Sequence, residues 1–214
     1  MQLNPRMLEL VEILTLKVRC LRREQVERIW FNHAKQPRVV CRQYLKRVKA
    51  AELVTLTNVM ALPEISVNTP LLDWRPGQEE PNFDRLAWQA DSRLARAATA
   101  TTLITATKQA QALTGGPIGT RPQRSAEISH DLMAAAVFES FRKNRPDRAA
   151  SWQPEDAILQ ELFREQTSLA KEMVPDAIVT DDGDEIAIEI AGRYGARKLR
   201  TIHEAYQEKR YELW

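Results

Sequence analysis

The chain has 214 residues, enough for one large domain or two small ones, and its 43% hydrophobic and 28% charged content is that of a folded protein. No apolar run approaches the ~20 residues of a membrane span, and the opening "MQLNPRMLEL" lacks the basic-then-apolar pattern of a leader, so a cytoplasmic chain with no membrane partner is expected. The net charge of +2 hides a division: residues 1–62 hold twelve Lys/Arg against five Asp/Glu, and residues 63–214 hold nineteen against twenty-four. A basic first third on a mildly acidic remainder predicts two modules, with the polyanion-facing surface on the first.

The first module reads as three helices and a hairpin. "NPRMLELVEILTLKV" opens with Asn4 as N-cap and Pro5 at the first helical position, and Met7, Leu10, Val11, Leu14 and Val18 recur at the helical period. "RREQVERIWF" is a second short helix with Val26, Ile29 and Trp30 or Phe31 inward, and "NHAKQ" is a polar connector. The third helix, "PRVVCRQYLKRVKAAEL", carries an apolar stripe of Val40, Cys41, Tyr44, Leu45 and Val48. Arg38, Arg42, Lys46 and Lys49, spaced by four, four and three, fall on an opposing face, and no acidic residue intervenes before Glu52. "VTLTNVMALPEISV" alternates β-branched residues and turn formers, which predicts a two-stranded hairpin. That order is the winged helix-turn-helix plan, with the third helix in the recognition position. Arg and Lys there neutralise phosphates, and Arg38, Arg42 and Gln43 are long enough to reach base edges. The DNA-binding candidates are therefore Arg38, Arg42, Gln43, Lys46 and Lys49. Cys20 and Cys41 fit no metal spacing and are expected as reduced thiols.

Residues 63–84, "PEISVNTPLLDWRPGQEEPNFD", read as a connector, with Trp74, Phe83 and Trp88 packed against a neighbour. A helix, a Thr-rich strand or turn and a second helix then lead to Gly115–Gly116. "GGPIGTRPQ" is a loop without the Lys-Ser/Thr of a phosphate-binding turn. The expected boundaries are 1–66 for the winged helix, 67–123 for the connecting segment and 124–214 for the second domain.

That second domain begins with "SAEISHDLMAAAVFESFRKNRP", a helix with Ile128, Leu132, Ala136 and Phe138–Phe141 inward. A helix from Pro154 follows, started by Glu155 and Asp156. "DAIVTDDGDEIAIEIA" is a hairpin turning at Asp181–Asp184 around Gly183. A helix in "GARKLRTIHEAYQEKR" and a last strand at "YELW" close the chain. Asp176 and Glu189 on neighbouring strands, between helices, predict a minimal restriction-endonuclease-like α/β core. In such cores two carboxylates hold a divalent metal that polarises a phosphate and activates water, and a lysine assists. Along the second strand Glu185, Ala187, Glu189 and Ala191 share one face, so alanine stands where that lysine belongs. Arg193, Arg197 or Lys198 could reach back from the following helix, although arginine is a poor base. Glu139 is a third acidic candidate, and the bland alternative pairs Glu189 with Arg193.

The order of "CRQYLKRVKAAELV", "WRPGQEEPNFDRLAW", "SHDLMAAAVF", "WQPE", "VPDAIV" and "AIEIAGRYGARKLRTIHEAYQEKRYELW" resembles the replication-relaxation family of plasmids and mobile elements. The resemblance covers nearly the whole chain. It implies a winged helix joined to a restriction-endonuclease-like domain, and control of plasmid replication or copy number. The recognition-helix positions are Arg38, Arg42, Gln43 and Lys46, and Asp176 and Glu189 match the family's acidic positions. The expectation is thus an α+β, nucleoid-associated regulator of double-stranded DNA. It would act without catalytic residue or cofactor, and its second domain would serve dimerisation through an exposed "YELW" strand or contacts with replication or transcription machinery. The alternative is a Mg2+- or Mn2+-dependent endonuclease, with Asp176, Glu189 and Lys198 catalytic and Glu139, Asp176 and Glu189 holding the metal. A protein-interaction module with a merely solvated basic helix is the third reading.

Overall fold

A computed structural model describes residues 4–65, 67–118, 125–165 and 174–214. In chain order the elements begin with α1 (Pro5–Glu12), which runs into a π-helical turn at Ile13–Lys17, then β1 (Leu21–Arg22), α2 (Arg23–Phe31), α3 (Pro37–Ala50) and β2 (Val54–Ala61). Next come β3 (Leu72–Trp74), α4 (Phe83–Leu94), β4 (Thr99–Ala106), α5 (Lys108–Thr114), α6 (Ser125–Asn144) and α7 (Pro146–Ser151). The chain finishes with β5 (Gln153–Pro154), α8 (Glu155–Arg164), β6 (Ala177–Asp181), β7 (Asp184–Glu189), α9 (Ala196–Tyr206) and β8 (Tyr211–Leu213). Part of the expected "GGPIGTRPQ" loop, at 119–123, and the end of the helix expected from Pro154, at 166–173, lie outside the described residues.

Helix and strand alternate in an α+β chain with two open sheets, and two compact units form, each discontinuous in sequence. One comprises Met1–Ala61 with Ala98–Glu139, the other Leu62–Ala97 with Ser140–Trp214. The chain therefore passes between units near 61–62, 97–98 and 139–140, where the sequence reading placed breaks after 66 and 123.

In the first unit the Asn4 side chain accepts from the Met7 amide at 2.9 Å and Pro5 takes the first helical position, as the sequence dictates. Met7, Leu10, Val11, Leu14 and Val18 are all buried. Gly116 passes so close to the π-helical turn that a Cβ there would collide with the Thr15 carbonyl. Only glycine permits that approach. The Phe31 and Tyr44 rings meet at 5.2 Å, and the Tyr44 hydroxyl donates to the Arg6 carbonyl at 2.8 Å, fixing α3 against α1 and α2. The three-stranded sheet has the order β1-β4-β2, antiparallel throughout. The expected local hairpin in "VTLTNVMALPEISV" is corrected. Val54–Ala61 is a single strand, and its partner is Thr99–Ala106, in register from Val54↔Ala106 to Ala61↔Thr99.

The second unit holds a five-stranded sheet, order β3-β8-β7-β6-β5. β6 and β7 form the expected hairpin, with Asp181 paired to Asp184 and the turn carried by Asp182 (φ 52°) and Gly183 (φ 91°). Two successive positive φ values match the twist of a tight hairpin. From β7 the chain crosses through α9 and returns as β8, parallel to β7. β3 then pairs antiparallel with β8. "YELW" is therefore interior to the sheet, bonded to strands on both sides, with Tyr211, Glu212 and Leu213 all buried. A dimer built by adding a strand to "YELW" has no edge to use there. The short β3 and β5 are the strands at the edges.

Candidate nucleic-acid interface and carboxylate pair

The third helix buries Cys41, Tyr44, Leu45 and Val48. Val40, expected in that stripe, is 38% exposed, because at about 100° per residue it lies a quarter-turn from the stripe's axis. Burial pushes the Cys41 thiol up to about 12, so it is not a nucleophile at neutral pH. Arg38, Arg42, Gln43, Lys46, Arg47 and Lys49 are all exposed. Among the described residues, none of those five cations has an acidic partner. Elsewhere in this unit, arginines are engaged. Arg28 donates to both oxygens of Glu139 at 2.8 and 2.7 Å, Arg19 meets the buried Asp131 at 3.4 Å, and Arg23 meets Glu24 at 2.6 Å. Open positive charge thus collects on α3. Arg47, absent from the sequence-derived set, belongs to it, and its position one residue off the four-four-three spacing is why it was missed.

Glu139, the expected third metal ligand, is committed to Arg28 in the first unit. Asp176 and Glu189 do come together in the second unit. Asp176 precedes β6 and its Oδ2 accepts from the Ile190 amide at 2.8 Å, which ties it across the hairpin to the end of β7. Glu189 is fixed by β8, since the Trp214 amide donates to the Glu189 carbonyl at 2.8 Å. Both carboxylates face tyrosines. Burial, then the charges of Asp176 and Glu189, push the Tyr194 hydroxyl up to about 12. Burial and Glu189 raise Tyr206 and Tyr211 beyond the ordinary tyrosine range. Among the described residues, these phenols stand beside the pair. Among the described residues, no group of three or more His, Cys, Asp or Glu is placed to hold a metal ion.

Ala191 stands where the sequence reading expected a lysine in a nuclease. Ala191 is 2% exposed and packs in an apolar layer with Leu199, Ile202, Leu86 and Trp74, beneath α4 and α9. Its amide donates to the Trp214 carbonyl at 2.7 Å. Arg193 does not pair with Glu189. It donates to the Leu94 carbonyl at 2.9 Å and lies 3.9 Å from Asp91, at the end of α4. Arg197 and Lys198 are exposed on α9, whose buried positions are Leu199, Ile202, His203 and Tyr206. Trp74 and Phe83 are buried as expected, whereas Trp88 is 70% exposed.

Sequence reading missed a charge network in this unit. Arg148, 3% exposed, donates to Glu212 at 2.8 Å and to Asp181 at 2.5 Å. Trp214 Nε1 donates to the other Glu212 oxygen at 2.9 Å, and Arg210 makes two 3.2 Å bonds to Asp73. The Arg148 hydrogen bond holds the Asp181 carboxyl below its ordinary range. The only sequence signal was Glu212 inside "YELW", a carboxylate at an otherwise apolar strand.

No described helix is long and apolar enough to cross a membrane. Searches against family models, curated proteins and solved structures return no match to this chain.

Proposed function

We propose that the chain is a sequence-specific double-stranded DNA-binding regulator that acts through α3. The observation that carries this reading is the exposed surface of that helix, where five unpartnered cations stand on a scaffold of three helices and a β1-β4-β2 sheet. The element order supports a winged helix-turn-helix, with α2 and α3 as the helical pair and β2 and β4 as the strands of the wing. In the second unit, the β6–β7 hairpin followed by α9 and the parallel β8 supports a restriction-endonuclease-like core used as a scaffold. The resemblance to the replication-relaxation family points the same way, toward occupancy of a promoter or replication origin.

The juxtaposition of Asp176 and Glu189 favours a second reading, a metal-dependent endonuclease. Against it stand the buried Ala191 and the tyrosines around the pair. One experiment separates the two. Purified protein is incubated with supercoiled plasmid and labelled linear duplex in EDTA, Mg2+ or Mn2+, and both retardation and cleavage are followed. Salt-sensitive retardation without cleavage is the expected result. Metal-dependent nicking that disappears in Glu189→Ala would establish the nuclease, and no retardation at any salt would defeat both.

A further inference from the structure

The exposed surface of α3 is not uniformly basic, and its geometry assigns different tasks to different residues. Taking about 100° per residue, the axis of the buried stripe runs between Cys41, Tyr44, Leu45 and Val48. Val39 lies within about 10° of the direction opposite that axis, with Gln43 and Lys46 about 30° to either side. Val39, Gln43 and Lys46 are spaced i, i+4, i+7 and form one ridge, the outermost line of the helix. Arg38, Arg42 and Lys49 flank this ridge on one side and Arg47 on the other. Val39 is 45% exposed, in the first turn of the helix, and Gln43 is exposed.

We infer that Val39 and Gln43, at the N-terminal end of the ridge, determine sequence specificity by reading A·T pairs in the major groove, while Lys46 further along it and the flanking cations hold the two phosphate backbones. This inference rests on the DNA-binding reading above and names what that surface selects. A ridge that enters a groove first meets base edges, and the residues beside it meet the groove walls. A glutamine presents an acceptor and donors that match adenine N6 and N7, and an aliphatic side chain matches the thymine methyl, which no other DNA base carries in that groove. Valine suits this role because its branched Cβ holds few rotamers, so its methyls are presented with little ordering cost. Four residues of helix rise by about 6 Å, which spans about two base-pair steps at ~3.4 Å each. The two contacts therefore fall on A·T pairs one or two steps apart.

The test begins by selecting tight-binding duplexes from a random pool with the full chain. Each thymine of the selected site is then replaced singly by deoxyuridine, which removes only the methyl. For the wild-type protein, one replacement should weaken binding about fourfold, the value of one buried methyl. Val39→Ala should bind the thymine duplex more weakly and lose the difference between thymine and uracil at that position. Gln43→Ala should lose about tenfold or more for an adenine one or two steps away and accept other bases there. Neither variant should change the salt dependence of random-duplex retardation, because neither removes charge. Retention of random duplex with no selected A·T position, or indifference to uracil at every position, overturns this inference and leaves the DNA-binding reading standing. Failure to retain any duplex at low salt removes that reading, and this inference with it.

Discussion

Replacing Arg42 and Lys46 together by alanine tests whether α3 is the DNA-facing element. Both side chains are exposed and neither has an acidic partner in the described chain, so the double variant should fold like the parent. Each phosphate neutralised contributes about −0.9 to the slope of log affinity against log salt. With all five cations of α3 on phosphates, the slope is about −4.5, and raising salt from 50 to 200 mM weakens binding about 500-fold. Removing two contacts brings the slope to about −2.7 and the weakening to about 40-fold. The assay is fluorescence anisotropy of a labelled duplex across that salt range, with a urea unfolding curve to confirm an unchanged fold. A parental slope retained by the double variant would refute the assignment of α3, whatever the absolute affinity.

Two further predictions concern the second unit. Arg148→Met should destabilise it by roughly 2–3 kcal/mol, below the ~3–5 kcal/mol of a wholly unpaired buried charge, because Glu212 keeps only Arg210 at 3.8 Å and the Trp214 indole at 2.9 Å. Adding Glu212→Gln should recover part of that loss in the urea midpoint, and a single-variant loss below about 1 kcal/mol would show that the network is not dry. His203 is buried with its Nδ1 2.9 Å from the Tyr211 hydroxyl, and burial lowers its pKa although Glu80 and Glu204 oppose the shift. Its unfolded form therefore takes up the proton first, so stability is full above about pH 6.5 and falls as pH drops below it. His203→Gln should flatten that part of the urea-midpoint profile, and an unchanged slope would exclude His203 as its source.

How much of this was legible in sequence depended on the range of the interaction. The N-cap at Asn4, the inward stripe of α1 and the Asp182–Gly183 turn were readable because each is decided within a few residues. The partner of β2 was misread for the converse reason. The alternation of "VTLTNVMA" announces a strand but not its partner, and the nearest strand-like residues were taken where the register instead pairs Ala61 with Thr99. Similarly, "YELW" ends the sequence, which suggested an edge, yet β3 from the connector covers it through the pairing of Leu72 with Leu213. The carboxylate pair was legible because a hairpin brings both residues together locally. Its tyrosine lining, Tyr194 and Tyr206, was not, because it depends on how α9 and the loop before it fold back over the sheet.

Placing a lysine at position 191 asks whether the second unit can act as a nuclease when given one. Ala191→Lys would thread four methylenes and an ammonium into the layer formed by Leu199, Ile202, Leu86 and Trp74. Overpacking of this kind costs about 1–3 kcal/mol, and burial depresses the lysine pKa, with Glu189 on the same strand face opposing that shift. The sheet resists adjustment, since the Ala191 amide is bonded to Trp214 and the Asp176 carboxylate is already occupied by the Ile190 amide. The expected outcome is a lower melting temperature and no cleavage of plasmid in Mg2+ or Mn2+. If the variant instead nicks DNA in a metal-dependent way that Glu189→Ala abolishes, Asp176 and Glu189 form a competent metal-binding pair. The second unit would then be a nuclease lacking only its lysine, and the scaffold reading would have to be withdrawn.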